Sequence, residues 1–598
     1  MPWLEPIMKF MNDHSYTSPE RLEDRIAPAG LVTVSFLNGL LTINGADGAD
    51  HDVAIVKTGI NTFRVEGNAT GINDVAHSSK NFRGTLNHLL IEGGAGADTF
   101  GLTNLNPLKS LRFHGNDGVD ALSTKNLSVL AGGRVDIALG SQTGSVNFGG
   151  AMTSIHSYLN LDLGGGGKVG FGSALTTIDG NVAVTGGPGS DSVSITGDTT
   201  LFKQKFTLNG GDGNDTFIAA GNSLHVRGFV AMDGGAGSNL FFFAANHNRF
   251  GNSLTPGLVD LKLGEGPGAV TFLGDSTHVL GDLKIDLGTG GGTAQLNSAV
   301  GSFRNHVQVT GGAGNDTLEF NGSTSIGRSL SFVGGVGDDA LRATGNLFAV
   351  KGSTSMDGGS GAEASIFDLN VVSLALAGLT VRGGVSNDTV SIIADGTITG
   401  NANLMLGLDG TGPTSTILRS RAGLADGLKF GGTLTIETLG ATVDFLTIAN
   451  IQVAKAFDAQ TGENVSTVSI SKLNVKSDIK LQTGSGADVV NIDNVNALDF
   501  YVDTGIGADE LRIERNASYT GASLVLGNTT ILTGIGADQI RIGNPSDPAN
   551  LRAWFIGAMT LDAGDGANMR NDILGSNYFV SAPTIVATGG DLTETAAI

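Results

Sequence analysis

The stretch Leu208–Phe217, which reads Leu-Asn-Gly-Gly-Asp-Gly-Asn-Asp-Thr-Phe, decides the fold of this chain. It contains the end of one apolar-alternating segment, a glycine turn, an aspartate and the beginning of another such segment. Glycine admits the backbone conformations that a sharp turn needs, and aspartate accepts hydrogen bonds from nearby backbone N–H groups. Related stretches recur at 93–100, 311–318, 334–339, 483–488 and 533–538.

The aspartate of this turn recurs along the chain with a nearly constant spacing. The ten aspartates at equivalent positions are Asp98, Asp120, Asp191, Asp215, Asp316, Asp339, Asp388, Asp488, Asp509 and Asp538. Degenerate turns such as 234–239 and 288–292 fill the gaps between them. The best-kept steps are about 24 residues long, and a fixed period in this range indicates a solenoid.

Apolar residues spaced by two flank the turns. Phe206 and Leu208 precede one turn, and Val193 and Ile195 follow another. This spacing places both side chains on one face of a strand, whereas a helical repeat would show spacings of three and four. The sequence therefore predicts an all-β fold, a parallel β-solenoid of roughly 20 or more coils of about 24 residues. Right-handed winding is expected by analogy with other parallel crossovers.

The chain divides into three predicted segments. Residues 1–30 are rich in charge and proline and are expected to form a partly disordered export or capping segment. Residues 31–590 are the solenoid, and 591–598 are a frayed tail. Between about 415 and 480 the glycine-aspartate turn is lost while the alternation continues, so we expect continuous solenoid with degenerate corners there.

Composition excludes several classes of partner. The formal net charge of −22 disfavours nucleic acid and anionic membranes, because both need clustered Lys and Arg. The chain has no cysteine, so disulfides and thiolate metal sites are ruled out. Since no run of 18 apolar residues occurs, no transmembrane helix is predicted.

The pattern Gly-Gly-x-Gly-x-Asp-x-apolar resembles the calcium-binding nonapeptide of the repeats-in-toxin (hemolysin-type) family. The matching residues are Gly210, Gly211, Gly213, Asp215 and Phe217, then Gly311, Gly312, Gly314, Asp316 and Leu318, then Gly93, Gly94, Gly96, Asp98 and Phe100. The resemblance implies Ca²⁺ held by backbone carbonyls and aspartates of a β-roll. That family repeats every nine residues, whereas this chain has one turn per coil, so the family's site does not carry over whole.

A different calcium site follows from the register of the aspartates. Coils stacked in register would place neighbouring carboxylates about 4.8 Å apart, where they repel by roughly 3 to 4 kcal/mol at an effective dielectric of 20. A hard cation would turn that repulsion into attraction. The ten aspartates named above are therefore candidate ligands for a line of weak Ca²⁺ sites. In the alternative, the aspartates only hold the turn, which the replacements Asn239, Gly268 and Gly292 favour.

A second resemblance concerns location. Residues 20–29, Glu-Arg-Leu-Glu-Asp-Arg-Ile-Ala-Pro-Ala, resemble the N-terminal LE-D/E-R-x-x-P/A segment of many exported or envelope-associated proteins of planctomycete bacteria. The resemblance implies export, and hence an extracellular or cell-surface location. A polar helix that caps the array is the alternative interpretation.

These observations favour a non-enzymatic, exported β-solenoid with a spacer, adhesive or envelope-structural role. Its polar faces are expected to bind a cell-envelope polysaccharide, a protein partner or a second copy. One alternative is a carbohydrate-active parallel β-helix, a polysaccharide lyase or glycosidase that uses carboxylates and basic residues on one face. Scattered histidines and only two tryptophans disfavour an enzyme. The other alternative is a purely structural rod without metal.

Overall fold

A computed structural model shows a parallel β-solenoid of about 19 turns of about 24 residues, and the part of the chain that it describes contains no helix. The structure describes residues 30–45, 48–68, 70–73, 75, 78–105, 107–359, 364–407, 412–421, 427–516, 518, 521–543, 553–565, 572–573 and 577–586. The predicted N-terminal segment 1–30, apart from Gly30, and the predicted tail 591–598 lie outside these residues. Within the described ranges, no helix is long and apolar enough to cross a membrane.

Hairpins precede the coils. The first six strands are β1 (Leu31–Leu37), β2 (Leu40–Gly45), β3 (Asp52–Gly59), β4 (Thr62–Gly67), β5 (Gly71–Ile72) and β6 (Ser79–Arg83). Strand β1 pairs antiparallel with β2, and β4 pairs antiparallel with both β3 and β6. The described residues of 31–83, within the range predicted as solenoid, thus form an N-terminal cap of hairpins, and β2 and β3 join it to the coils by pairing in parallel with the next two strands of the chain, β7 (His88–Gly94) and β8 (Thr99–Thr103).

The coils begin after this cap. Their regular part comprises β7 (His88–Gly94), β8 (Thr99–Thr103), β9 (Leu108–Asn116), β10 (Ala121–Lys125), β11 (Ser128–Ala138), β12 (Ser145–Gly149), β13 (Met152–Ile155), β14 (Tyr158–Asp162), β15 (Lys168–Phe171), β16 (Leu175–Ile178), β17 (Val182–Thr185), β18 (Ser192–Ile195), β19 (Thr199–Phe202), β20 (Phe206–Asn209), β21 (Thr216–Ala219), β22 (Ser223–Val226), β23 (Val230–Asp233), β24 (Leu240–Phe243), β25 (His247–Phe250), β26 (Val259–Lys262), β27 (Gly268–Phe272), β28 (Ser276–Val279), β29 (Leu283–Asp286), β30 (Gly292–Leu296), β31 (Val300–Phe303), β32 (Val307–Thr310), β33 (Thr317–Phe320), β34 (Ser323–Ile326) and β35 (Leu330–Val333). From β12 to β35 each coil contributes three short strands.

The C-terminal half contains several longer strands that run around a corner. Its strands are β36 (Asp339–Asp357), β37 (Ala364–Arg382), β38 (Ser386–Ile398), β39 (Ala402–Met405), β40 (Thr414–Arg419), β41 (Leu428–Phe430), β42 (Leu434–Thr438), β43 (Val443–Val453), β44 (Phe457–Thr461), β45 (Val465–Val475), β46 (Ile479–Gln482), β47 (Val489–Ala497), β48 (Phe500–Asp503), β49 (Glu510–Ile513), β50 (Ser523–Val525), β51 (Thr529–Leu532), β52 (Gln539–Ile542), β53 (Ala553–Phe555), β54 (Met559–Asp562), β55 (Asp572–Ile573), β56 (Asn577–Phe579) and β57 (Thr584–Val586).

Three parallel sheets run along the solenoid, and each strand pairs with its equivalent in the next coil. The first sheet contains β18, β21 and β24, the second β19, β22 and β25, and the third β17, β20 and β23. Thr216, for example, pairs with Ser192 on one side and Leu240 on the other. The aspartate corner joins the third sheet to the first.

The core is one continuous column inside these sheets. Alternation in β20 buries Phe206 and Leu208 while their neighbours face outward, as the sequence predicts. Buried phenylalanines stack from coil to coil, and the rings of Phe243 and Phe272 lie 4.5 Å apart at 5°. Stacking equivalent side chains fills the interior without long-range folding of the chain, which is how a solenoid obtains a core.

The predicted degenerate region, 415–480, continues the same three sheets. Strands β43 and β45 pair in register, and β45 pairs with β47. Non-glycine residues with φ between 52° and 57° make the bend within these strands at Asn450, Lys472 and Asn494. Asparagine tolerates this left-handed conformation better than most residues. This bend joins the first sheet to the second, because residues 444–449 pair with β40 and residues 451–453 pair with β41, so it is a different corner from the aspartate corner.

Candidate functional site: the aspartate corners

The ten predicted aspartates form one column along the corner between the third and first sheets. All ten side chains are at most 3% exposed. They point into the solenoid, so the acidic edge expected from the sequence is an internal column. We call this column the aspartate ladder. Its positions without aspartate include His51, Asn239, Ser365, Thr414 and Ser466, which pair in register with ladder residues.

One further aspartate belongs to the ladder. Asp444 is 2% exposed, pairs in register with Thr414 and Ser466, and accepts the Gly462 N–H at 2.8 Å. The sequence analysis missed it because the glycines of its turn are lost. The remaining signal is weak: Gly440 lies four residues before Asp444, and alternation resumes after it.

Each of the ten predicted ladder carboxylates accepts a backbone N–H from the coil or cap before it. The Asp191 N–H donates to Asp215 Oδ1 at 2.7 Å, and the Asp98 N–H donates to Asp120 Oδ1 at 3.0 Å. The Asp488 N–H likewise donates to Asp509 Oδ1 at 2.9 Å. The N–H at this position follows the turn, where the sheet pairing has not yet resumed, so the side chain satisfies a buried donor that would otherwise be orphaned.

The second carboxylate oxygen explains the first glycine of the motif. A Cβ added to Gly210 would overlap Asp215 Oδ2 and the carbonyl oxygen of Gly234 in the next coil. Gly115 and Gly311 stand in the same relation to Asp120 and Asp316, five residues later. The spacing Gly-x-x-x-x-Asp therefore records a packing requirement, because the carboxylate occupies the volume that a side chain would need.

A second series of aspartates precedes the turn, and the sequence analysis missed it. In Asp162, Asp233, Asp286, Asp357, Asp503 and Asp562, Oδ1 accepts the N–H of the glycine two residues later, at 2.9 to 3.2 Å. This is the Asx-turn geometry that starts a tight turn. The signal in the sequence is the repeated Asp-x-Gly immediately before the corner.

Burial raises the pKa of most ladder carboxyls. It raises the pKa of Asp120, Asp215 and Asp509 from 3.8 to about 6, because the charged form loses its hydration, while hydrogen bonds from backbone N–H groups oppose the shift. Burial likewise raises the pKa of Asp191 and Asp316. Asp191 Oδ2 accepts a further N–H from Gly187 at 3.0 Å, and Asp316 Oδ2 accepts one from Gly312 at 2.8 Å.

The surroundings of Asp215 provide few of the oxygen ligands that calcium takes. Ca²⁺ takes six to eight oxygens at about 2.3–2.6 Å, whereas Asp215 uses Oδ1 for an N–H and packs Oδ2 against glycine backbone. N–H groups that point at the carboxylate leave little room for a cation. Among the described residues, no group of three or more acidic or histidine side chains converges in a metal-binding arrangement. Calcium binding stays a prediction, to be tested by titration.

A histidine continues the ladder into the N-terminal cap. The His51 N–H donates to Asp98 Oδ1 at 2.9 Å, and the ring Nδ1 lies 2.6 Å from the same oxygen. Both side chains are fully buried. Strand β3 pairs in parallel with β8, so His51 occupies the ladder position in the cap and joins the cap to the first coils.

The outer faces carry shallow depressions with mixed charge. One, of about 310 Å³, lies on the third sheet and is lined by Thr207, Asn209, Asp233, Asp260 and Lys262 among others. Another, of about 290 Å³, is lined by Asp493, Arg512 and Arg515 together with Ser469, Asn491 and Asn516. In the second, Arg512 is already paired with Glu510, to which Arg541 also binds at 3.2 Å.

An exposed apolar patch covers the second sheet in its last coils. Trp554 and Tyr578 are 38% and 43% exposed, and their rings lie 5.1 Å apart on neighbouring coils. Leu498, Leu526 and Val580, beside them, are about half exposed. The outward positions of β22, β25 and β28 on the same sheet are instead serine, histidine and arginine. A contiguous apolar patch of this kind is typical of an interaction surface.

Comparison with protein-family models gives no match, and comparison with curated proteins gives none either. Function is therefore argued from the residues themselves.

Proposed function

We propose that this chain is a structural rod that acts as a spacer or scaffold at a bacterial cell surface. The observation that carries the proposal is the unbroken pairing of three sheets from coil to coil, which makes length the main property of the molecule. About 19 turns at about 4.8 Å each give a rod of roughly 90 Å. Repeats that contact only their neighbours make such a length adjustable.

Deletion of whole coils tests this role. Removing residues 192–239 joins Asp191 to Leu240, and Ser192, Thr216 and Leu240 are register partners in the first sheet. We expect the shortened chain to fold and to be about 10 Å shorter. The distance that the rod spans between its partners should decrease by the same amount. The control must break the register, and deleting any 24 consecutive residues, such as 204–227, keeps it. The control therefore removes residues 192–203, which is half a coil. The proposal would be contradicted if the chain without residues 192–239 misfolds, or if the chain without residues 192–203 is as stable as it.

Export rests on the resemblance of residues 20–29 to the planctomycete segment. The matching experiment is fractionation of the native bacterium with the full chain and with a chain lacking residues 1–29. A cell-surface rod predicts the full chain in the envelope or medium and retention of the truncated chain. Equal retention of both chains inside the cell would refute the surface location.

A second candidate function, adhesion to a polysaccharide, is favoured by the Trp554–Tyr578 pair. Exposed aromatic rings on a flat face are suited to stack against sugar rings, since they bury apolar area with little loss of side-chain freedom. The test is retention on immobilised neutral and acidic polysaccharides, with Trp554→Ala compared with Tyr158→Ala, which removes an exposed aromatic of the third sheet. Loss of retention in the first variant alone supports adhesion, and equal retention refutes it.

A further inference from the structure

The second oxygen of several ladder carboxyls faces a carbonyl oxygen. The space beside Gly210 is bordered by both Asp215 Oδ2 and the Gly234 carbonyl oxygen, and the space beside Gly115 by Asp120 Oδ2 and the Leu139 carbonyl oxygen. Both carboxyl oxygens are buried and have no N–H or O–H donor. Two acceptors that border one small buried space without a hydrogen between them repel, so a hydrogen on the carboxyl oxygen would stabilise this arrangement.

Asn239 shows what the position accommodates. Its Oδ1 accepts the Asp215 N–H at 2.8 Å, the role that Asp215 Oδ1 has for Asp191. Its Nδ2 donates to the Leu263 carbonyl at 2.6 Å. Leu263 is the register equivalent of Gly234, because Asp233 pairs with Lys262. The amide thus donates at the same point of the corner where Asp215 Oδ2 faces an acceptor.

We infer that Asp120 and Asp215 take up protons when the surroundings are acidified and become neutral acids, whose Oδ2–H donates to the carbonyl of the next coil. A protonated carboxyl has the donor and acceptor pattern of an asparagine amide. The misfit with calcium has the same origin: the corner needs a hydrogen on Oδ2, which a metal ion would have to displace.

The surroundings of Asp215 support this state. The charged group that faces it is Asp191 in the preceding coil, and the next ladder position is the neutral Asn239. Asp212 in the same turn and Asp233 ahead of the next turn are exposed to solvent. Burial and the neighbouring carboxyl both disfavour a negative charge on Asp215, and no cation offsets them.

Asp191 provides a contrast within one coil's distance. Its Oδ2 also borders a space shared with a carbonyl oxygen, that of Gly210. The difference is that this Oδ2 already accepts the Gly187 N–H at 3.0 Å, so a hydrogen on it would meet another donor. The substitutions Asp215→Asn and Asp191→Asn should therefore have opposite effects, although the two side chains are stacked at equivalent positions. A general requirement for carboxylates at the corner predicts the same sign for both.

The test compares amide hydrogen exchange in peptides covering residues 182–219 at pH 8 and at pH 4.5. Asp215→Asn should slow exchange several-fold relative to the unmodified chain at pH 8 and leave it unchanged at pH 4.5, whereas Asp191→Asn should speed exchange at pH 8. The reciprocal variant Asn239→Asp should speed exchange in its own coil at pH 8 and recover at pH 4.5. Faster exchange in Asp215→Asn at pH 8 would overturn the inference.

Infrared difference spectroscopy of the unmodified chain gives a readout that can contradict the inference without any variant. Acidifying the unmodified chain from pH 8 to pH 4.5 should produce the carbonyl stretch of buried, hydrogen-bonded carboxylic acids. Loss of part of this band in the double variant Asp120→Asn/Asp215→Asn supports the inference. Absence of any such band in the unmodified chain at pH 4.5 contradicts it.

Discussion

The packing of glycine against the ladder carboxyl leads to a specific prediction for Gly210→Ala. The new methyl group would overlap Asp215 Oδ2 and the Gly234 carbonyl oxygen, and the second of these belongs to the backbone of the neighbouring coil. Gly210 is not among the glycines with positive φ, so the effect is steric and not conformational. Overpacking of a close-packed site costs about 1–3 kcal/mol, and the fixed backbone places this case at the upper end.

The matched control is Gly101→Ala. Gly101 lies in strand β8, and the nearest atom to an added Cβ is Ser123 Oγ at 3.7 Å, an ordinary contact. Alanine there should be neutral or stabilise by up to about 1 kcal/mol, because it restricts the unfolded chain. A solenoid need not unfold in one step, so urea unfolding is followed together with hydrogen exchange of the affected coils.

The double variant Gly210→Ala/Asp215→Ala completes the experiment. Removing the carboxyl makes room for the methyl group, so the double variant should be less destabilised than the sum of the two single variants. We expect an interaction energy of about 1 kcal/mol or more from this cycle. Equal stability of Gly210→Ala and Gly101→Ala, or strict additivity in the cycle, would refute the steric explanation of the Gly-x-x-x-x-Asp spacing.

Three further predictions follow from the same features. Burial raises the pKa of Asp120, Asp215 and Asp509 to about 6. The contribution of these three carboxyls to the free energy of unfolding should therefore be largest below pH 4. It should fall as pH rises through 6, by on the order of 3 kcal/mol for each group, and melting curves between pH 4 and 8 measure this. Phe243→Ala should lower the unfolding free energy of its coils by about 3–5 kcal/mol, since its ring stacks on Phe272 and contacts Phe217 and Phe250. Urea unfolding checks this, with Leu254→Ala, which truncates an exposed leucine, as the control. Neither millimolar Ca²⁺ nor its chelation should change the melting temperature at pH 8. A melting temperature that rises with Ca²⁺ in the unmodified chain but not in Asp215→Asn would instead support the calcium sites predicted from the sequence.

Much of the fold follows from the sequence because period and alternation have direct structural meaning. One turn per 24 residues with apolar pairs on both sides leaves stacked coils as the natural way to bury every pair. The hairpin cap within residues 31–83 was not predicted, because apolar and polar residues alternate in the same way in parallel and antiparallel strands. A local signal was available: Asn38-Gly39, both with positive φ, joins β1 to β2 and is a common hairpin turn.

The candidate site could be predicted only in part. Spacing aligns the ten aspartates, and the structure places them in one column. Whether Asp215 points inward or outward depends on the backbone path through Gly210–Gly213, which periodicity does not determine. From the sequence alone the aspartates are candidate ligands for a line of weak Ca²⁺ sites or residues that hold the turn, and their burial and their N–H partners favour the second interpretation.

The central claim, that equivalent residues stack in register along one axis, is best tested by distances between spin labels. The chain has no cysteine, so labels attach only at introduced cysteines. Outward positions in one column of the third sheet are Thr207, Gln308, Asn403 and Lys480; the last three lie four, eight and eleven coils from Thr207. At about 4.8 Å per coil, double electron–electron resonance should give distances of roughly 19, 38 and 53 Å between a label at Thr207 and a label at Gln308, Asn403 or Lys480, respectively. Distances that do not increase in proportion to the number of coils would contradict the account.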